Sequence, residues 1–337
     1  MGGDFSPHNP IVGAIQALRD FPDVSIVFVG DEERVRKELG AHETKGLESR
    51  ITFHHASQVV EMGDNGLESV RKKKDSSISR AIDLVKNGEA DAVVSAGHTG
   101  ALVAAATIKL RTLPGIDRAG LGVLIPAEDG VFLLIDGGAN IDPSPKHVVG
   151  FAVMGSVYYQ SVVGGGEARV GLLNIGSEPG KGTEFYQECY EQLQHAPIRF
   201  VGNIEGHGIF KKPAEVVVCD GFTGNIFLKT VEGLAKSIFS WLKVELKQSP
   251  WRMAGAWLAR GAFRSIKNRT STDEYGGTPL LGVNGICIKA HGNSSSRALR
   301  NAIRAARTAV QLSINTRIVE AMKPLHEKNS SRNTIEA

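Results

Sequence analysis

One stretch, from Glu215 to Thr230, most constrains what this chain can fold into, and it reads EVVVCDGFTGNIFLKT. Its three consecutive valines, Val216 to Val218, are β-branched, which is typical of a strand buried on both faces of a sheet. A turn from Asp220 to Asn225 follows, and a long amphipathic helix begins after it. A strand, a glycine-bearing turn and a helix N-terminus together direct backbone N–H groups toward an anion. The stretch therefore predicts an anion-binding turn in an α/β protein.

The same strand–turn–helix design recurs along the chain. Its turns lie at Gly97, Asp136, Gly176, Asn203, Asp220 and His291. Alternating strands and helices predict an α/β fold with a doubly wound, mainly parallel sheet. Such sheets bind ligands beyond the carboxyl ends of their strands. We therefore expect the six turns to converge on one cleft. A single final helix is expected to run from about Ser294 to about Met322.

Composition excludes several classes of protein. Hydrophobic residues make up 42% and charged residues 22%, which is ordinary for a soluble globular protein. A net charge of +3 is too weak to indicate a nucleic-acid partner. The three cysteines match no disulfide or zinc spacing, so no metal site is predicted. We find no signal peptide and no apolar run long enough to span a bilayer, so a cytoplasmic location is expected.

The glycine-rich turns match none of the common catalytic motifs. G-x-G-x-x-G after a strand, a Walker A loop, H-E-x-x-H and G-x-S-x-G are all absent. What remains is Gly, Asn, Thr and Ser, with Lys181, His98 and His291. This set favours direct transfer, in which a bound anion attacks an activated carbonyl without a covalent enzyme intermediate. Each histidine is either a general acid or a hydrogen-bonded turn residue.

Eight blocks of sequence narrow the chemistry further. In order they are MGGDFSP, SAGHTGAL, LLIDGGANID, FAVMGSVY, VGLLNIGSEPGKGTE, FVGNIEG, VVVCDGFTGNIFLKT and IKAHGNSS. Together they closely resemble the phosphate acyltransferase (PlsX) family from Met1 to about Met322. The resemblance implies an enzyme that converts acyl–acyl-carrier-protein and inorganic phosphate to acyl phosphate, for bacterial phospholipid synthesis. It also implies an isocitrate/isopropylmalate dehydrogenase-like, three-layer α/β/α fold with no cofactor. The family is homodimeric, cytosolic and peripherally attached to the membrane, with the membrane glycerol-3-phosphate acyltransferase as a further possible partner.

The candidate site residues combine the turns with this resemblance. We predict that Lys181 and Asn225 bind phosphate, that Asn140 and Asn203 orient the thioester, and that Asp220 organises its turn. The other predicted substrate-binding residues are Gly97, His98, Thr99, Gly100, Gly138, Ser177, Gly180, Gly182, Glu205, Gly221, Thr223, Gly224, His291 and Gly292.

The chain departs from the family pattern at two places. Family members usually have a short strand before the MGGD block, whereas this sequence starts at that methionine. The expectation is either a misassigned start or a sheet that lacks this strand, with unpaired backbone at its edge. The second departure is His98, where many relatives have asparagine. A catalytic role for its imidazole is therefore not favoured.

A basic segment without acidic residues, 247–272, follows the long helix. We predict that it forms an amphipathic helical tip that contacts the membrane, or alternatively a helix in a dimer interface. The predicted membrane contacts are Trp251, Trp257, Leu258, Arg260 and Arg264. The tip would protrude from a single domain, 1–323, and 324–337 would form a polar tail. The cations of 71–74 lie directly before a helix and are a weaker candidate surface for the acidic carrier protein.

Two other functions stay open. A nicotinamide-dependent dehydrogenase would suit the same broad architecture, but the dinucleotide fingerprint and paired metal-binding aspartates are missing. A non-catalytic scaffold could instead recruit lipid enzymes to the membrane. Phosphate-dependent formation of acyl phosphate would separate the acyltransferase from the scaffold.

Overall fold

The fold is described from a computed structural model that covers residues 1–270 and 276–333. The strands are β1 (Ile26–Gly30), β2 (Ile51–His55), β3 (Ala92–Ser95), β4 (Gly120–Pro126), β5 (Val131–Ile135), β6 (Arg169–Asn174), β7 (Arg199–Glu205), β8 (Val216–Val218), β9 (Thr278–Leu281) and β10 (Ile286–Lys289). The helices are α1 (His8–Asp20), α2 (Glu32–Leu39), α3 (Gly66–Lys72), α4 (Ser77–Lys86), α5 (Thr99–Ala105), α6 (Pro145–Val162), α7 (Glu184–Gln194), α8 (Gly221–Lys247), α9 (Pro250–Leu258), α10 (Arg260–Thr270), α11 (Ser296–Gln311) and α12 (Ile314–Asn333).

The main sheet has eight strands in the order β3-β10-β9-β4-β5-β8-β6-β7. Four of its seven neighbouring pairs are parallel, and the three pairs that involve β9 or join β4 to β5 are antiparallel. Strand β9 was not predicted, because the four residues of TPLL include a proline and are too few to show a period. The sheet is therefore mixed, with parallel pairs at both of its ends.

Strand direction corrects the expectation that all six turns lie at one end of the sheet. Following the pairings across the sheet, β3 and β10 run opposite to β5, β6, β7 and β8. The turns at Gly97 and His291 consequently lie at the end of the sheet opposite to the other four. Strands β4 and β5 form a hairpin whose short connection, 127–130, reverses the direction.

Strands β1 and β2 form a separate parallel pair, whereas the sequence predicted one continuous sheet. A cavity of about 510 Å³ lies between β1 and β3, lined by residues of both strands and by Met1. Among the described residues, no pairing joins the small sheet to the large one.

Along the central strands of the large sheet, side chains point alternately to its two faces, and both faces are buried. Leu133 and Val216 belong to a core packed with side chains of α6, α7 and α12. Phe132 and Val217 point to a second core, where Phe227 of α8 packs against them. The valine run of β8 is fully buried, as its composition predicted.

The C-terminal helical region differs from the prediction. The chain forms two helices instead of one, because the break at Leu312 and Ser313 includes a positive φ of 49° at Ser313. Helix α12 also continues past Pro324, which the sequence placed in a polar tail. Residues 334–337 of that tail lie outside the described residues.

Helix α8 packs against the body of the protein over its first three turns, through Phe227, Leu228 and Glu232, and projects from it beyond them. Gly221 and Gly224 are its buried residues, and its later residues lie mostly exposed. The predicted tip is two helices, α9 and α10, since the first ends at Ala259; residues 271 and 272 lie outside the described residues. In the part of the chain that is described, no helix is apolar and long enough to span a bilayer.

Candidate active site

The turn after β5 is built around the buried carboxylate of Asp136. Its Oδ1 accepts hydrogen bonds from the backbone N–H of Leu121, Gly138 and Ala139 at 2.9–3.2 Å. Its Oδ2 accepts from the backbone and side-chain amides of Asn140 at 2.7 and 2.8 Å. Burial raises the pKa of Asp136 and these hydrogen bonds lower it. Because every donor is an N–H, the ionised carboxylate makes these bonds best, and it holds the turn in one conformation.

Asn140 uses both hydrogens of its side-chain amide inside this turn. The second hydrogen bond runs from Nδ2 to the backbone oxygen of Ala119 at 2.7 Å. Both donors are thus engaged before any substrate arrives, so the geometry favours a positioning role for Asn140 over direct donation to a thioester.

The neighbouring turn is fixed by Asp220, the N-cap of α8. Asp220 accepts hydrogen bonds from the backbone N–H of Thr223 at 2.8 Å and from its hydroxyl at 2.7 Å. The hydroxyl of Tyr186 on α7 also donates to this carboxylate, and burial together with this contact raises the pKa of Tyr186. Asp220 therefore organises its turn, as the sequence predicted for it.

Two glycines let α8 begin directly against the Asp136 turn. The backbone N–H of Gly221 donates to the carbonyl oxygen of Asn140 at 2.7 Å. A methyl group at Gly221 would lie 2.5 Å from that oxygen, and one at Gly224 would overlap the carbonyl oxygen of Asp136. Only a residue without a side chain allows this approach, so the two turns form one rigid wall.

Asn225, in the first turn of α8, presents its amide beside Gly138. A β-carbon at Gly138 would lie 3.2 Å from Cβ of Asn225, and Gly138 has a φ of +123°. The Asn225 side chain is exposed and makes no hydrogen bond to the part of the chain that the structure describes. Its N–H donors are thus available to a ligand, next to the positive end of the α8 dipole.

Lys181 lies in an exposed loop after β6. Its ammonium lies 3.7 Å from a carboxylate oxygen of Glu178. Asn174 holds the loop, with Nδ2 donating to the Lys181 carbonyl oxygen at 3.1 Å. Asn203 donates to the Glu178 carbonyl oxygen at 2.7 Å, and its Oδ1 is buried without a partner among the described residues. Lys181 is consequently an exposed charge on a loop that Asn174 and Asn203 support.

The second group of turns, at the opposite end of the sheet, surrounds His291. Its Nδ1 lies 3.2 Å from Nζ of Lys289, and its Nε2 lies 3.5 Å from a carboxylate oxygen of Glu232 on α8. The carbonyl oxygen of Gly292 accepts from the backbone N–H of Asp4 at 2.9 Å. Glu232 was not predicted, because its contact with His291 depends on the path of α8. Lys289, two residues before His291, was not predicted as a site residue either.

His98 caps α5 and does not point to a catalytic function. Its Nδ1 accepts from the backbone N–H of Ala101 at 3.0 Å, which places the ring proton of a neutral imidazole on Nε2. Thr99 and Gly100 form the first turn of that helix. The outcome agrees with the hydrogen-bonded alternative for His98.

Helix α8 connects the two groups of turns. Asn225, Lys229 and Glu232 are spaced by four and three residues, so they share one face of the helix. About 10 Å of helix separates Asn225 from Glu232 at 1.5 Å per residue. Strand direction thus divides the predicted residues between two groups of turns, one at each end of the sheet. One group holds Gly138, Asn140, Ser177, Gly180, Lys181, Gly182, Asn203, Glu205, Asp220, Gly221, Thr223, Gly224 and Asn225; the other holds Gly97, His98, Thr99, Gly100, His291 and Gly292.

The buried Lys289 is expected to make the free energy of unfolding depend on pH. Burial, and secondarily the charge of Lys229, lowers its pKa from 10.5 to about 8. At pH values between these two pKa values, Lys289 is protonated in the unfolded chain and largely deprotonated in the folded one. The free energy of unfolding therefore rises with pH in this range. We expect wild type to gain about 2 kcal/mol relative to Lys289→Met between pH 7 and pH 9.5. Denaturant unfolding measures this, with the exposed Lys86→Met as control. An equal difference at both pH values would contradict the prediction.

The fold and the site define a class of protein: an α/β protein that presents the unengaged side-chain amide of Asn225 at a helix N-terminus, an arrangement suited to an anion. Comparison with known proteins narrows this class. A family model described as "Fatty acid synthesis protein" matches residues 1–317. The chain is 49% identical over 332 residues to a phosphate acyltransferase of Akkermansia muciniphila, covering 96% of this chain and 95% of that one. It is 43% identical over 336 residues to the phosphate acyltransferase of Pelotomaculum thermopropionicum, covering 100% and 97%.

The chain belongs to the phosphate acyltransferase family. Among solved structures, a branched-chain phosphotransacylase from Enterococcus faecalis V583 is similar in fold, with a TM-score of 0.53. It is 14% identical in sequence, and the match covers 92% of this chain and 96% of that one.

Proposed function

We propose that the protein transfers an acyl group from acyl–acyl-carrier-protein to inorganic phosphate, forming acyl phosphate and free carrier protein. The observation that carries the proposal is the unengaged amide of Asn225. It stands at the positive end of α8, on a wall that Asp136 and Asp220 hold rigid. Preorganised donors of this kind stabilise the oxyanion of acyl transfer without reorganising during the reaction. The family membership of the chain supports the same reaction.

The reaction needs no protein nucleophile. An oxygen of monohydrogen phosphate attacks the thioester carbonyl carbon, and the carbonyl electron pair moves to oxygen. Collapse of this tetrahedral oxyanion breaks the carbon–sulfur bond and releases the thiolate. The proton that phosphate carried ends on the thiol, so atoms and charge balance. The enzyme supplies orientation and charge stabilisation.

Within this reaction, we propose that Asn225, which was predicted to bind phosphate, donates to the oxyanion instead, and that Lys181 neutralises phosphate from its loop. Asn140 and Asn203, which were predicted to orient the thioester, act as positioning residues, since their amide hydrogens bond to backbone oxygens and a carboxylate. Lys289 supplies positive charge at the far end of the α8 face, beside the ring of His291, where the carrier-bound substrate extends.

The experiment is an assay of acyl phosphate, trapped with hydroxylamine, from purified protein, acyl–acyl-carrier-protein and phosphate. Phosphate-dependent product and stoichiometric free thiol are expected. Hydrolysis to free fatty acid alone, or no turnover, would contradict the proposal and leave the scaffold function. A shift of the melting temperature by NAD or NADP would favour the dehydrogenase alternative.

Of the four basic residues at 71–74, fewer are available to bind the carrier protein than the sequence suggested. Arg71 and Lys72 lie within α3, and Lys72 pairs with Glu68. Lys73 lies 2.6 Å from a carboxylate oxygen of Asp64. Arg71 and Lys74 are the exposed cations of the four with no such pair, so they form the part of this surface that we propose meets the acidic carrier protein.

We propose a homodimer, built on α8. Leu234, Ile238 and Trp241 are about half exposed or more and are spaced by four and three residues. They form an apolar stripe on a helix that projects from the body, and a second copy of this stripe matches it in length and chemistry. We also propose that the chain has an isocitrate/isopropylmalate dehydrogenase-like, three-layer arrangement. Residues 1–323 would form a single domain.

We further propose a cytoplasmic protein that attaches to the membrane surface through α9 and α10. Trp251 is 87% exposed, Trp257 64% and Leu258 76%. The guanidinium of Arg260 lies 4.3 Å from the centroid of the Trp257 ring, and Arg264 adds a second cation. Tryptophan, apolar and cationic side chains on an exposed helix are suited to the interface of an anionic bilayer. Such attachment would place the product near a membrane glycerol-3-phosphate acyltransferase.

Membrane attachment predicts a large effect of two polar substitutions. Trp251→Ser with Leu258→Ser removes two exposed apolar side chains, each worth about 2 kcal/mol of burial. We expect co-sedimentation with phosphatidylglycerol vesicles to fall more than tenfold. Ile108→Ser, at an exposed isoleucine outside this segment, is the matched control. Equal vesicle binding by the double variant and wild type would assign the segment to the dimer interface.

A further inference from the structure

A second cluster of chemically active side chains lies outside the candidate active site. His8 opens α1, Glu38 lies in the last turn of α2, and His42 follows four residues later. Nδ1 of His8 lies 2.7 Å from Oε1 of Glu38, and Nε2 of His42 lies 3.2 Å from the same oxygen. Their ligand atoms all lie within 4.8 Å of one another. No other described residues bring three such groups together.

The spacing comes from two local features. Glu38 and His42 are four residues apart, and the backbone N–H of His42 donates to the Leu39 carbonyl oxygen, so the helical course continues beyond α2. The two side chains therefore lie on one face. His8 reaches this face because α1 packs beside α2, although His8 and Glu38 are thirty positions apart in the sequence. This separation explains why the sequence showed no metal-ligand spacing.

Two imidazoles and one carboxylate are the donor set of many zinc sites that keep an open position. Ligand bonds of about 2.0–2.1 Å in a tetrahedron separate ligand atoms by about 3.4 Å. The present 2.7 and 3.2 Å differ from this separation by less than 1 Å, and the two histidine nitrogens lie within 4.8 Å of each other. Movements of up to about 1.5 Å, at side chains that are 25–59% exposed, would form the tetrahedron. Solvent access at this surface leaves room for an ion to enter and for water to complete its coordination.

We propose that His8, Glu38 and His42 bind one divalent transition-metal ion, with Zn²⁺ as the best match. Imidazole nitrogen selects such ions over Mg²⁺, which prefers oxygen ligands. The bound ion would cross-link the start of α1 to the end of α2 and so stabilise the folded chain by mass action. The start of α1 follows the loop whose Asp4 bonds to Gly292, so the cross-link also anchors that loop.

Equilibrium dialysis and calorimetry with ZnCl₂ test the proposal on tag-free, full-length protein that has been treated with a chelator. One Zn²⁺ per chain at micromolar free metal is expected, with no binding of Mg²⁺ at the same concentration. A raised melting temperature that a chelator reverses is expected as well. Co²⁺ should give visible absorption bands of four- or five-coordinate geometry, a readout that does not depend on enzyme activity.

Variants decide whether these three residues are the ligands. Glu38→Gln and His42→Ala should each weaken Zn²⁺ binding at least tenfold, and the double variant His8→Ala with His42→Ala should abolish it. His207→Ala is the matched control, because His207 pairs with Glu205 without a second histidine. Circular dichroism checks that each variant is folded. Absence of Zn²⁺ binding by wild type, or equal binding by the double variant, would mean that the cluster is only a hydrogen-bonded group.

Discussion

Replacing Asn225 with alanine is expected to lower kcat by about 10²- to 10³-fold, the usual loss for one oxyanion donor. The amide has no partner among the described residues, so its removal leaves no broken internal hydrogen bond. The melting temperature should therefore stay close to that of wild type. Steady-state kinetics with saturating phosphate and acyl–acyl-carrier-protein measures the effect.

Two further variants sharpen this result. Thr230→Ala, on the same helix but away from the Asn225 face, should have wild-type kcat. Lys181→Ala should act mainly through the KM for phosphate, because an exposed ammonium contributes charge that salt screens. A folded Asn225→Ala enzyme with wild-type turnover would remove Asn225 from the reaction. Wild-type turnover of Lys181→Ala at low phosphate would likewise show that Lys181 takes no part in the reaction.

Gly224→Ala is expected to destabilise the folded protein by about 3 kcal/mol or more, as overpacking at a closed site does. The added methyl group would overlap the carbonyl oxygen of Asp136 and also approach Sγ of Cys219 at 2.9 Å. Relief requires α8 to move away from the Asp136 turn. Because that turn and the helix N-terminus make up one wall of the site, activity should fall together with stability.

Gly233→Ala is the matched control for this substitution. It lies in the same helix, and a β-carbon there would meet no atom within 4 Å. Alanine should be neutral or stabilise by about 0.5–1 kcal/mol, because glycine is the poorer helix former. Denaturant unfolding of both variants separates close packing from helix propensity. Equal stability of the two would contradict the close approach at Gly224.

The sequence predicted the elements better than their arrangement. The valines of β8 are a local signal, and the structure confirms the buried strand that they predicted. Asp220 was predicted to organise its turn, and it does so as the N-cap of α8. The direction of the strands is not local. It depends on the hairpin between β4 and β5, for which Glu128-Asp129-Gly130 was a signal, and on β9, whose four residues show little pattern.

For the candidate active site as well, local features could be predicted from the sequence and contacts between distant segments could not. Glycines and asparagines that follow strands could be assigned from the sequence, because turns after parallel strands bind anions. Which amides remain available could not be predicted. Asn140 and Asn225 look equivalent as residues, yet Ala119 and Asp136 occupy one amide and nothing described occupies the other. Contacts between distant segments, such as His291 with Glu232, depend on the path of α8.

The length of helix α8 sets the distance between the candidate active site and the tip formed by α9 and α10. From Asn225 to its end at Lys247 it spans about 33 Å, at 1.5 Å per residue. Each inserted residue would lengthen this span by about 1.5 Å and rotate everything beyond it by about 100°. Insertions of seven or eleven residues would therefore keep the tryptophans facing the same way, whereas two residues would turn them to the opposite side. Only insertions close to a whole number of helical turns would therefore change the distance between the candidate active site and the tip without also changing the direction in which the tip faces.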